Sequence, residues 1–186
     1  MEQLSTSSAT DELTGTHVRI WPYMKGIYPR DIVGQVWLAI ERSGELGQLW
    51  WAFQQSPLSH RMDLAAFAAF MSDPDRGVLI VTSLGSESII GLIWFDDIQP
   101  HRCFGSVYIT PEARGRAGLE ACRMGAAYAH REFGVDQIWA MTPWAHAGVL
   151  IQAVGFERVA VLPGYAMIDG SLKDVVIYKK VRMAHG

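Results

Sequence analysis

The sequence predicts a single α/β (α+β) layer structure built on a mixed sheet, and three observations carry that reading. Residues 77–110 hold three β-branched and aromatic runs separated by the short turns SLGSES and QPHR, the pattern of an antiparallel meander. Residues 103–142 place a helical stretch between two strand-like runs, the spacing of a right-handed parallel crossover. The chain has 186 residues, 49% hydrophobic and 19% charged, which is enough for one domain with a real core and too apolar for a disordered chain.

The elements follow in order. Residues 1–16 (MEQLSTSSATDELTGT) are polar and rich in Ser and Thr, and read as a flexible N-terminal tail ahead of one domain spanning 17–186. HVRIWPY, residues 17–23, reads as a short strand that Pro22 confines to an edge or an end. Residues 30–45 read as a helix with Ile32, Val36 and Ile40 on its apolar side, Pro29 just ahead of it, and Gly44 and Gly47 at its end. A second helical region covers 48–71 and is interrupted at Pro57. Its second half places Leu64, Phe67 and Met71 on one face, and Asp73-Pro74-Asp75 stops it. Strands are expected at 77–83, 89–98 and 103–110, a helix at 116–131, a strand at 137–142, and a helix at 145–154 closed by Gly155. Two strands, about 157–163 and 174–181, finish the chain, with Asp169-Gly170 marking a turn between them.

Charge and composition exclude several functions. The net charge is −3, whereas a duplex-binding surface needs many phosphate-neutralising cations, so no nucleic-acid partner is expected. No apolar run reaches membrane-spanning length, and the N-terminus lacks a basic-then-apolar signal pattern, so no membrane partner is expected either. Cys103 and Cys122 have no CxxC spacing, which fits a reduced, cytoplasmic setting.

The most informative stretch is VYITPEARGRAGLEACRMGAAYAH, residues 107–130. A strand reaches Pro111, a turn with two arginines and two glycines follows, and then a helix rich in small residues begins. The first N–H groups of a helix lack internal acceptors and carry the positive end of its dipole. A phosphate can supply those acceptors. Gly115 and Gly118 allow close backbone approach, while Arg114 and Arg116 add charge and forked donors. The physical reading is an anion site at a strand-to-helix turn; the alternative is a turn whose Gly and Arg serve geometry and solubility alone. Neither GxxxxGK[ST] nor a strand-linked GxGxxG is present.

Three pieces carry a resemblance: Tyr108-Ile109-Thr110-Pro111-Glu112-Ala113-Arg114-Gly115-Arg116, then QIWAMTP, then LIQAVGF ending at Gly155-Phe156. Together, residues 103–156 are similar to the central part of the GCN5-related N-acetyltransferase (GNAT) superfamily, and the element order from about 17 to 182 fits it as well. The resemblance implies a mixed, mostly antiparallel central sheet flanked by helices on both faces. It implies an N-acetyltransferase that takes acetyl-coenzyme A as acyl donor and a small-molecule or protein amine as acceptor. The pyrophosphate would sit on the amides of Arg114, Gly115, Arg116, Ala117, Gly118 and Leu119, with Tyr108, Ile109 and Thr110 facing the pantetheine arm and His146 near the cofactor. The family's Q/R-x-x-G-x-G/A motif maps onto Arg114 through Leu119, with Ala117 and Leu119 at two of its small positions. Ile151 stands where the family often has a general-acid Tyr, and Trp144 where it often has Asn.

Acetyl transfer to an amine needs a neutral nucleophile, a polarised carbonyl, an outlet for the thiolate and a route for the amine proton. Asp96 or Asp97, at the end of IIGLIWFDD, could serve as base; the alternative is a solvated strand end. Tyr165, between the last two expected strands, could donate to the thiolate or line the pocket, or be a packed loop residue. His101, His130 and His146 are dispersed and show no metal-ligand spacing, so no metal is expected. Trp50-Trp51 read as an acceptor-site wall or as core anchors, and Cys122 as packing. Glu120 favours its helix start but would repel a nearby phosphate. The rival reading is a catalytically degenerate GNAT-fold binding or interaction module. Exposed sheet edges leave a homodimer open.

Overall fold

IIGLIWF is apolar at every position, which a strand tolerates only when both of its faces are covered. The computed structural model describes residues 13–24, 31–45, 63–168 and 170–182, and in it this run lies at the centre of an eight-stranded sheet. The strands are β1 (Leu13–Thr14), β2 (Val18–Pro22), β3 (Gly77–Ser83), β4 (Ile89–Gln99), β5 (Arg102–Ile109), β6 (Gln137–Thr142), β7 (Glu157–Ile168) and β8 (Ser171–Val181). The helices among the described residues are α1 (Ile32–Arg42), α2 (Leu64–Met71), α3 (Arg116–Glu132) and α4 (Ala145–Ala153), with a 3-10 turn at Pro111–Ala113. The sheet order is β1-β2-β3-β4-β5-β6-β8-β7, and every neighbouring pair is antiparallel except β5 with β6.

Period-two alternation sorts β4 between two cores. Ile93 and Phe95 pack with α3 residues such as Ala121, Ala126 and Ala129. Leu92 and Trp94 pack with Ile32, Val36 and Ile40 of α1 and with Phe67, Phe70 and Met71 of α2. The small residues of α3 let it lie close to the sheet: a Cβ at Gly125 would stand 2.8 Å from Ile93 Cδ1. The architecture is therefore the mixed, mostly antiparallel sheet with helices on both faces that the resemblance implies. Among the described residues, no helix is long and apolar enough to cross a membrane.

Several local expectations change. Leu13 and Thr14, inside the segment read as a loose tail, pair with Ile20 and Arg19. Leu64 is 46% exposed rather than sharing the buried face of Phe67 and Met71. It occupies the first turn of α2, beside the capping Asp63, whose side chain accepts from Ala66 N at 2.8 Å. The last two strands run longer than expected, so Tyr165 belongs to β7 and not to the connection after it. The Pro163-Gly164 pair makes a bulge instead of ending the strand: pairing passes from Leu162↔Val175 to Ala166↔Lys173. Gly164 takes φ +57° there, and its N–H donates to Asp174 at 2.9 Å. Trp50, Trp51, Pro57, Pro29, Gly47 and Asp169 lie outside the described residues.

Candidate functional site

A fork opens in the sheet where β5 leaves β6. Their parallel ladder has three rungs and ends at Phe104↔Trp139. Beyond it, β5 stays paired with β4 as far as Ile109↔Gly91, and β6 stays paired with β8 as far as Thr142↔Val176. Residues 105–109 therefore have no ladder partner on the β6 side.

The loop at the open end of the fork follows from local chemistry. Thr110 N–H donates to Ile90 O at 2.8 Å, which carries the β4–β5 pairing one step beyond the strand. Pro111 then starts a 3-10 turn in which Ala113 N–H donates to Thr110 O at 3.0 Å and Arg114 N–H to Pro111 O at 3.4 Å. Gly115 takes φ +99° and ψ −129°, a region that a side chain would strain. Its carbonyl accepts from Leu119 N–H at 2.9 Å, the first bond of α3, and no side chain caps the helix. The amides of Gly115, Arg116, Ala117 and Gly118 are thus left without an acceptor among the described residues. Gly118 is buried, yet a Cβ there would meet nothing closer than 3.6 Å.

Charge around this corner is arranged specifically. Arg116 is exposed, while the Arg114 guanidinium bonds the Glu45 carboxylate and, at 3.3 Å, Ile109 O. Glu120 turns away from the loop and accepts from the backbone N–H groups of Thr16 (2.7 Å), His17 (2.7 Å) and Val18 (3.2 Å). Burial works against its charged form, but those three donors and the His17 charge outweigh it and hold the carboxyl below the ordinary Glu range. Tyr108, buried on the α1/α2 side, donates its hydroxyl to Ser43 Oγ. Burial is the main cause that raises its pKa, outweighing the Ser43 bond. An open cavity of about 1050 Å³ borders the loop, with Arg42, Ser43, Ser86, Thr110, Arg116 and Ala117 among its walls.

No protein-family model matches the sequence, and no curated protein matches it. Solved structures do match in three dimensions. A ribosomal-protein-S5-alanine acetyltransferase from Vibrio fischeri superposes with a TM-score of 0.71 at 14% identity, covering 91% of this chain and 96% of that one. A spermidine N-acetyltransferase from Vibrio cholerae, solved in complex with CoA and spermine, gives 0.70 at 14% identity, covering 90% and 96%. A GNAT-family acetyltransferase from Bacillus anthracis gives 0.67 at 12% identity, covering 91% and 98%. The chain has the GNAT acetyltransferase fold.

Within this GNAT fold, the structure gathers Tyr108, Ile109, Thr110, Arg114, Gly115, Arg116, Ala117, Gly118 and Leu119 around one corner. Within the turn from Arg114 to Leu119, two amides are already bonded, Arg114 N–H and Leu119 N–H, so the run without an acceptor among the described residues is 115–118. Leu119 packs against the α3-side core, and Ile109 is buried in it. His146 is exposed on the first turn of α4. The candidate catalytic residues stand apart. Asp96 is opposite Phe104 at the closed end of the fork, five residues and about 17 Å along β4 from Gly91. Its carboxylate is bonded by Arg76, which also reaches Asp73 at 3.1 Å and lies 4.2 Å over the Phe70 ring. Asp97 takes φ +47° in the β4–β5 hairpin and accepts from Arg102 at 3.0 Å and Gln99 at 2.7 Å. Tyr165 is 58% exposed on the β7 bulge.

The sequence reading missed Ser43 and Glu45, which bring the end of α1 to the loop, and the backbone partners of Glu120. The one local signal was Gly44 in ERSGE: at φ +72° it ends α1 and redirects the chain so that Glu45 meets Arg114.

Proposed function

We propose that the protein is an N-acetyltransferase that uses acetyl-coenzyme A and acts on an amine of a small molecule or of a protein. One observation carries this reading: four consecutive N–H groups, at residues 115–118, lack acceptors among the described residues at the positive end of α3, beside the fork in the sheet. A diphosphate satisfies such donors and is favoured by the helix dipole. The residues present fit the group, since Gly115 keeps the turn bare with nothing within 4 Å of a Cβ there, Gly118 carries no side chain over the amides and Glu120 faces elsewhere. Acetyl-coenzyme A supplies an acetyl group activated as a thioester. The edge of residues 105–109, which has no ladder partner on the β6 side among the described residues, offers main-chain donors and acceptors that align an extended chain along β5. Holding both reactants in the fork supplies the proximity on which amine acylation depends. The similar structures act, by their descriptions, on spermidine and on a ribosomal-protein alanine, so polyamines and peptide N-termini head the acceptor panel.

A second reading, a binding module without turnover, is favoured by the engagement of both aspartates with arginines and by Ile151 on α4. Calorimetry with acetyl-coenzyme A, followed by thiol release across an amine panel, separates the two. The expected result is micromolar binding, weakened at least tenfold in Gly118→Val with the fold intact, and thiol release with at least one amine. An Asp96→Asn variant with unchanged kcat would remove that carboxylate from the proton route. No binding to wild type at high micromolar acetyl-coenzyme A would overturn the transferase reading.

A further inference from the structure

We propose that Glu45 is a positioning residue of the anion loop, holding Arg114 as a strut of the loop and not as a ligand of the bound anion. The inference rests on the acetyl-coenzyme A reading above and assigns a role to a residue far from the loop in sequence. The Arg114 guanidinium is engaged on two sides by the chain itself: one terminal nitrogen bonds the Glu45 carboxylate, and Nε donates to Ile109 O at 3.3 Å. The Glu45 side chain is only 15% exposed, so the pair is partly shielded from water and salt. A second tie runs beside it. The Ser43 hydroxyl donates to Ile40 O at 2.6 Å and accepts from the Tyr108 hydroxyl and, at 3.3 Å, from Glu45 N–H. The end of α1 is thereby fastened to β5 at Tyr108 and to the loop at Arg114. Between these ties stands Gly44 at φ +72°, which turns Glu45 toward the loop.

Arg114 directly precedes amides 115–118, which have no acceptor among the described residues, and Gly115 gives the chain an unusual conformation there. A loop so shaped holds four N–H groups in convergent positions only if its entrance is fixed. Anchoring Arg114 to the carbonyl of Ile109 and to α1 fixes it. In the opposite role for Arg114, direct contact with the anion, the Glu45 carboxylate would compete with the anion for the guanidinium charge. The two roles make predictions of opposite sign when the Glu45 charge is removed.

The test uses the full-length protein as wild type, E45Q, E45D, R114A and E45Q/R114A. Coenzyme A affinity is measured by calorimetry, and amide exchange of residues 110–118 is measured without ligand. A strut predicts that E45Q weakens coenzyme A binding about fivefold or more. It also predicts faster exchange of the loop amides in E45Q, little further loss in E45Q/R114A, and recovery of affinity in E45D. Tighter binding in E45Q would show that Glu45 withholds an anion ligand and would overturn the proposal. Unchanged loop exchange in E45Q would overturn it as well. If wild type binds no coenzyme A, the acetyl-coenzyme A reading fails by itself, and the exchange comparison still decides whether Glu45 braces the loop.

Discussion

Glu120 shows how one side chain can serve two elements at once. It sits in the second turn of α3, yet its carboxylate collects three backbone donors from residues 16–18 and so ties the start of β2 to the helix. A Cβ at Gly15 would stand 2.6 Å from Glu120 Cδ, so the chain passes this carboxylate closely. Its pKa is lowered on folding from the ordinary 4.5, because the three donors overcome the burial that opposes ionisation. The stabilisation is therefore present above the unfolded value and disappears as pH falls through the folded one. Denaturant unfolding of wild type and Glu120→Ala from pH 7 to pH 3 should show curves that lie apart at neutrality and converge on acidification. A gap that stays constant with pH would contradict this assignment. Nothing near Glu120 in the sequence could have revealed it, since its partners lie 102 to 104 residues away. The same separation hid the bond between Glu45 and Arg114, 69 residues apart. What was readable at this scale was conformational: Gly115 sits where φ is +99°, and Gly44 where it is +72°.

At the scale of elements, α4 on β8 gives the sharpest packing test. A Cβ at Gly148 would collide with the hydroxyl of Tyr178, a side chain only 6% exposed. Gly148→Ala should cost about 1–3 kcal/mol through overpacking, and adding Tyr178→Phe should return part of it by removing the oxygen in the way. Thermal melts of the two single variants and the double would reveal that coupling, and simple additivity would refute it. Elements were legible where their signals were local. The meander, the crossover and the helix start after Pro111 follow from turns and periodicity within a few residues. The ends of β7 and β8 were not, because Pro163-Gly164 punctuates a bulge as readily as a turn, and only cross-strand pairing distinguishes them. Leu64 was misplaced because periodicity says which residues share a helix face but not that the first turn of that face stays uncovered.

At the scale of the molecule, both cores meet at β4. Trp94 is 1% exposed between α2 and the sheet and touches Phe70 edge-on at 5.7 Å. Trp94→Ala should destabilise the whole domain by about 3–5 kcal/mol, read as a shift of the urea midpoint with the slope unchanged. The candidate site spans this architecture without being written in any one segment of it. The loop was legible because four free amides need a bare turn, and RGRAG spells one. The surroundings of Asp96 and Tyr165 were set by Arg76 and by a bulge, neither of which leaves a mark next to those residues.

The three rungs that join β5 to β6 divide the sheet into two panels, with the amino-terminal strand on one and the carboxyl-terminal strand on the other. Traction applied between β2 and β8 would load that short seam before the longer β4–β5 and β6–β8 ladders that flank it. Any molecule that rivets the panels across it would therefore raise the force the domain withstands, apart from whatever chemistry it undergoes there.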